Sequence, residues 1–234
     1  MEIFSIEGWY VLLRWFHVLA GITWIGVLYY FNFIQTPYFG TDLGGQARSA
    51  MVRGLVPNAL WWFRWGAMFT FLTGWTIVLT KLGHDGVGLG SGYMTLILTG
   101  GLMGTLMWFN VWFVIWPAQR DYAIKSAEQV AAGGEPVPGT PEKAALAGRA
   151  SRTNTLFSIP MLFFMGSASH MGWLHNGSND LVYWIVAGAV IAFVEYNAFS
   201  GPAATQKPLG SVSGTIHFGL GLTVVLYLLG VVLN

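Results

Sequence analysis

The sequence has no cysteine and very little charge. Lys and Arg together number 11 and Asp and Glu 10 in 234 residues, so only 9 % of the chain is charged. The missing cysteines exclude disulfides, thiolate metal sites, iron–sulfur clusters and the C-x-x-C-H attachment of c-type haem. Soluble domains carry about a quarter charged residues, so water is the wrong solvent for this chain. A formal net charge of +1 gives no reason to expect nucleic acid as a partner. There is no P-loop, no G-x-G-x-x-G between a strand and a helix, no H-E-x-x-H and no G-x-S-x-G. Nor is there alternation of apolar and polar residues, which a membrane-spanning barrel requires. The opening MEIFSIEGWY is acidic where a cleavable signal is basic.

What is present is apolar: 54 % of the residues are hydrophobic and 16 % aromatic. Hydropathy and punctuation predict an all-α, polytopic membrane helix bundle of about six transmembrane helices in one domain, residues 1–234. The spans are expected at Gly8–Ile34, Asn58–Lys81, Tyr93–Trp116, Thr153–Leu174, Leu181–Phe199 and Val212–Leu233. Pro37 and Pro117 are read as stops, and Pro160 as a kink. Each span holds about 20 residues or more, enough for a hydrocarbon core of about 30 Å at 1.5 Å per residue.

The longest loop, about 118–152, carries most of the charge. Thr140-Pro141-Glu142 in it reads as the start of a short helix leading into the fourth span. Lys and Arg concentrate after the first, third and fifth spans, which places both termini outside and the long loop in the cytoplasm. Trp9, Tyr10, Tyr29, Tyr30, Trp61, Trp62, Trp116, Trp173 and Tyr183 form the aromatic belt, and Gly100 with Gly104 a close-packing G-x-x-x-G.

Polar side chains at membrane depth are the functional candidates. An outer group comprises Arg14, His17, His170 and His175; Arg14 and His17 share a helix face at i,i+3. An inner group comprises Asn32, Arg64, Asn110, Glu195, Asn197 and His217, and it reads equally well as a polar knot that fixes packing. Each of His17, His170 and His217 has a glycine one turn away, respectively Gly21, Gly166 and Gly221. A flat macrocycle held by imidazole needs such a smooth surface. Two histidines from different helices are a common axial pair for b-type haem. The expected cofactor is therefore haem b, with His17 and His170 as ligands and Arg14 pairing a propionate. His217 would hold a second haem, or a metal with Glu195.

Several strings also carry a family likeness. They are Trp15-Phe16-His17-Val18-Leu19-Ala20-Gly21-Ile22-Thr23-Trp24-Ile25-Gly26, Tyr29-Tyr30-Phe31-Asn32-Phe33, Phe63-Arg64-Trp65-Gly66-Ala67 and Asn110-Val111-Trp112-Phe113-Val114-Ile115-Trp116-Pro117. Ala150-Ser151-Arg152-Thr153-Asn154-Thr155 and the run from Ser158 through Gly166 to Ser169-His170 complete the set. Together they resemble the N-terminal membrane domain of the bacterial membrane-bound urate oxidase (urate hydroxylase) family. The resemblance implies a multi-helix domain of the bacterial inner membrane, tied to a respiratory chain. Members of that family carry a C-terminal cytochrome c domain, whereas this chain ends at Asn234 without C-x-x-C-H. The expected function is thus a haem-containing electron-transfer protein or oxidoreductase working with a separate cytochrome c. The alternatives are a non-catalytic accessory subunit of a larger membrane complex and, more weakly, a transporter built on the inner polar cluster.

Overall fold

The structure, a computed structural model, describes residues 2–171 and 180–233. Their regular structure is helical throughout, with six long helices in chain order. We label them α1 (Ile6–Tyr38), α2 (Asp42–Gly83), α3 (Gly92–Ala131), α4 (Thr140–Ser167), α5 (Asp180–Ser200) and α6 (Val212–Leu233). Four of them, α1, α3, α5 (as Leu181–Ser200) and α6, are long and apolar enough to cross a membrane. This is a membrane protein. The end of the fourth predicted span, with Trp173 and His175, lies outside the described residues.

The helices overrun their expected ends at the prolines. α1 continues past Pro37 and α3 past Pro117, because the turn before each proline widens. Tyr30–Gln35 and Asn110–Ile115 are π-helical, and the Thr36 and Trp116 amides reach back five residues to Phe31 and Val111. A wide turn moves aside the carbonyl with which the proline ring would clash, so the ring is accommodated. Gln119–Ile124 is a third such turn. The expected long loop therefore shrinks: residues 118–131 finish α3, and Thr140 starts α4 after Gly139 at φ 79°. Likewise, α2 begins at Asp42, capped by the Thr41 hydroxyl, and runs through Pro57. At 42 residues α2 is about 60 Å long, twice a hydrocarbon core.

α1 packs chiefly on α2, and α3 on α4, which also meets α6 and α5. These approaches rest on missing side chains. A Cβ at Gly66 would lie 3.1 Å from the Trp24 amide of α1, and one at Gly219 would lie 2.8 Å from the Leu156 carbonyl of α4. One at Gly100 would lie 3.1 Å from the Met161 carbonyl, as its G-x-x-x-G spacing led us to expect. Trp24, Leu28, Phe63, Met103, Met107, Leu156, Phe157 and Phe164 form the centre of the core. Outward, Leu220, Val224, Leu228 and Val232 run down α6 at i,i+4 and are exposed, a stripe suited to lipid.

Beyond the end of α2, Asp85 ties the surface together. It accepts from Lys81 Nζ at 2.6 Å and from His84 Nδ1 at 2.9 Å, and Lys81 also lies 4.3 Å from the centre of the Tyr10 ring of α1. Those two donors hold its carboxyl at about 2, below the ordinary 3.8. A depressed carboxylate contributes stability above its unfolded value and loses it as pH falls through the folded one. The midpoint of thermal unfolding in detergent should therefore fall between about pH 5 and pH 2. Asp85→Asn should flatten that part of the profile, and an unaltered slope would show that the contact contributes nothing.

Candidate functional site

His17 sits in the first half of α1, against α2. Its Nδ1 lies 3.1 Å from the Thr73 hydroxyl. That hydroxyl spends its single proton on backbone carbonyls of its own helix, with Phe69 O 2.6 Å away. The ring also has a hydrogen bond with the Thr70 backbone. With the Thr73 proton on Phe69 O, His17 donates from Nδ1 and Nε2 carries the lone pair, the tautomer in which this ring could hold a metal. The edge of the ring rests on Gly74, where a Cβ would come within 2.9 Å of Cε1. A hydroxyl that orients the ring while the far nitrogen stays available is the support a metal-ligating histidine needs.

His17 lines a cavity of about 600 Å³ between the α1/α2 pair and the α3/α4 pair. This lies within the range of about 300–1,000 Å³ typical of cofactor and ligand sites. The lining is almost wholly apolar, with Ile22, Ile25, Phe71, Val78, Ile97 and Leu98 prominent. Gly21, Gly26, Gly74, Gly101, Gly104 and Gly166 supply much of the wall. A Cβ at Gly26, Gly101 or Gly166 would meet nothing within 4 Å, so those glycines leave room rather than fit a neighbour. Trp75 donates to Thr105 at 3.2 Å, bridging α2 to α3 along the edge. Arg14, one turn before His17, also lines the cavity. It is exposed and joins none of the ion pairs among the described residues.

Arg14 and His17 are thus brought together; the other expected site residues are elsewhere. His170 is exposed, on the turn that closes α4, and the cavity is lined by its neighbour Ser169 instead. His217 is exposed on α6, its Nδ1 2.7 Å from the Ser213 carbonyl one turn back. Glu195 lies beside Asn110 on α3, with one oxygen buried and unpartnered. It pairs with neither His217 nor Arg64. Among the described residues no three His, Asp or Glu gather as a metal site.

Two of the inner polar residues, Asn32 and Asn110, converge on α4. Asn32 donates to Ser151 at 2.8 Å and to Leu28 O at 2.9 Å. Tyr29 meets Ser158 at 2.8 Å. Asn110 donates to Asn154 Oδ1, and Asn154 Nδ2 to Met107 O, both at 2.9 Å. Ser151-Arg152-Thr153-Asn154-Thr155 is therefore the hub joining α4 to α1 and α3. Arg64 lies 3.9 Å from the centre of the Trp116 ring and 5.0 Å from that of Trp112, so aromatic faces, not a carboxylate, receive its charge. Asn197 closes the end of α5, donating to Thr205 O at 3.1 Å.

Sequence reasoning missed Thr73, Gly74, Met161 and Met165 at the cavity. Nothing local marks them, since each acts on a partner from another helix.

The model of the urate oxidase N-terminal family matches residues 87–224. The chain belongs to that family. The match takes in α3, α4, α5 and the first half of α6, so it covers the cavity wall opposite His17 and the asparagine hub. It leaves out Arg14, His17 and Thr73. Neither a curated protein nor a solved structure matches the chain.

Proposed function

We propose that this chain is an electron-transfer module of the bacterial inner membrane, related to urate-oxidising membrane proteins, that holds a b-type haem in the cavity at His17. One observation carries the reading: an imidazole held by Thr73, which in the Nδ1-protonated tautomer offers its Nε2 lone pair, lines an apolar, glycine-walled cleft. The donor set suits haem, which needs one nitrogen ligand and broad apolar faces. Glycines at 26, 101 and 166 leave free the space that any larger side chain would fill. Arg14, which lies 5.7 Å from the centre of the Tyr10 ring and joins no ion pair among the described residues, is at the same cavity, placed to bind a propionate through charge-assisted hydrogen bonds.

When bound, such a haem supplies one-electron transfer. The protein positions it, keeps its faces dry and balances its carboxylates. We place all six long helices across the bilayer, with both termini outside. The even number of crossings supports this, as do the basic residues on one set of helix ends: Arg48 and Arg53 early in α2, Arg120 and Lys125 late in α3, Lys143, Arg149 and Arg152 early in α4, and Lys207 between α5 and α6. Electrons would then pass to a separate cytochrome c or another membrane subunit, with urate or quinol as candidate donors.

The test is an absorption spectrum of the purified protein, air-oxidised and then dithionite-reduced. A Soret shift with a new α-band is expected. A featureless spectrum in protein purified from haem-replete cells would overturn the haem reading and leave the accessory-subunit alternative.

A further inference from the structure

The cavity has two walls, and the sequence-based choice of a second ligand does not lie on either. His170 is exposed beyond the end of α4 and does not line the space. The wall facing α1 and α2 presents two other groups with donor lone pairs suited to iron, the thioethers of Met161 and Met165.

The hydroxyls at the cavity are weaker candidates. Those of Thr70 and Thr105 donate to carbonyls of their own helices, each at 2.8 Å. The Tyr93 phenol must lose its proton before it can ligate.

The geometry distinguishes the two methionines. Met161 is buried, at 4 % exposure, whereas Met165 is only partly covered by protein. Both lie against Gly104, a cavity residue of α3: a Cβ there would be 3.4 Å from Met161 Sδ and 3.8 Å from Met165 Cε. At Gly100 a Cβ would come within 2.8 Å of Met165 Cγ. Two missing side chains on α3 therefore let the Met165 side chain lie along that helix and end at the cavity. Met is unbranched, with three rotatable bonds, so its sulfur can reach a ligand across a gap that a stiffer side chain could not span.

We propose that Met165 supplies the axial ligand opposite His17, so that this is a His–Met haem site rather than a bis-histidine one. The assignment rests on the haem reading above. A thioether favours ferrous iron over ferric, so the site has a high potential. The protein would then be a late carrier, taking electrons from a donor of lower potential and delivering them to an oxidising partner.

The test uses the purified holoprotein. Ferric wild type should show the far-red sulfur-to-iron charge-transfer band, with near-infrared magnetic circular dichroism characteristic of His–Met ligation. Met165→Leu should abolish that band and lower the midpoint potential while haem stays bound through His17. Met51→Leu, early in α2 and outside the cavity, should leave both unchanged. Should Met165→Leu fail to fold, the wild-type near-infrared spectrum decides alone. A bis-histidine signature in wild type, or a band that survives Met165→Leu, overturns the Met165 assignment and leaves the haem reading standing. Absence of haem from wild type overturns that reading, and this one with it.

Discussion

His17→Ala protein should purify with almost no haem, as a folded bundle with the wild-type elution volume. Removing a partner that merely orients a ligating histidine costs about 10–100-fold in affinity, so losing the imidazole itself should cost at least about 100-fold. Thr73→Val should fall between: it keeps the imidazole but removes the acceptor 3.1 Å from Nδ1, and affinity should drop about 10–100-fold. The bundle should survive, because the α1–α2 contact rests on Trp24, Leu28, Phe63 and Ala67 rather than on the hydrogen bonds of His17. Haem titration followed at the Soret band checks both. Full haem content in His17→Ala would remove the cavity from consideration.

Asn154→Leu should be the most damaging change outside the cavity. Asn154 is fully buried and bonds both the Asn110 side chain and the Met107 carbonyl. Leucine keeps the branched four-atom skeleton, so the main loss is of partners, with its bulkier methyls adding some overpacking. Each stranded polar group costs about 1–3 kcal/mol in a dry interior. Double-mutant measurements in membrane bundles give smaller values, about 0.6 kcal/mol per bond, because the unfolded chain in lipid finds other partners. About 2 kcal/mol in total is therefore expected, read as a lower midpoint in mixed-micelle unfolding by dodecyl sulfate. His217→Ala, on an exposed face of α6, should leave that midpoint unchanged. Equal stability of Asn154→Leu and wild type would mean that the hub orders nothing.

The helices themselves were legible. α6 runs over the expected Val212–Leu233, and α5 over Asp180–Ser200 against an expected 181–199. Their apolar composition is continuous and nothing interrupts it. The prolines misled, because whether Pro37 or Pro117 ends a helix depends on the width of the turn before it. No residue type announces a wide turn. Of the cavity, Arg14 and His17 could be read from their i,i+3 spacing and from Gly21. Thr73 could not, since it lies 56 residues from the histidine it orients. His170 was placed by counting depth along a helix expected to reach residue 174, but α4 ends at Ser167. Residues 168–170, His170 among them, form a turn instead, and depth by counting fails there.

The wide turns do more than admit prolines. Each inserts about one residue into the winding, so everything downstream is rotated by about 100° relative to an uninterrupted helix. α1 and α3 therefore behave as shafts with an offset key. Their upper and lower lengths engage different neighbours without the rod being broken. On α3, Gly100 and Gly104 seat the Met165 side chain, while Trp112 and Trp116, beyond the start of the offset, receive Arg64 from α2. One continuous helix thus presents two sets of partners at a fixed angle to one another.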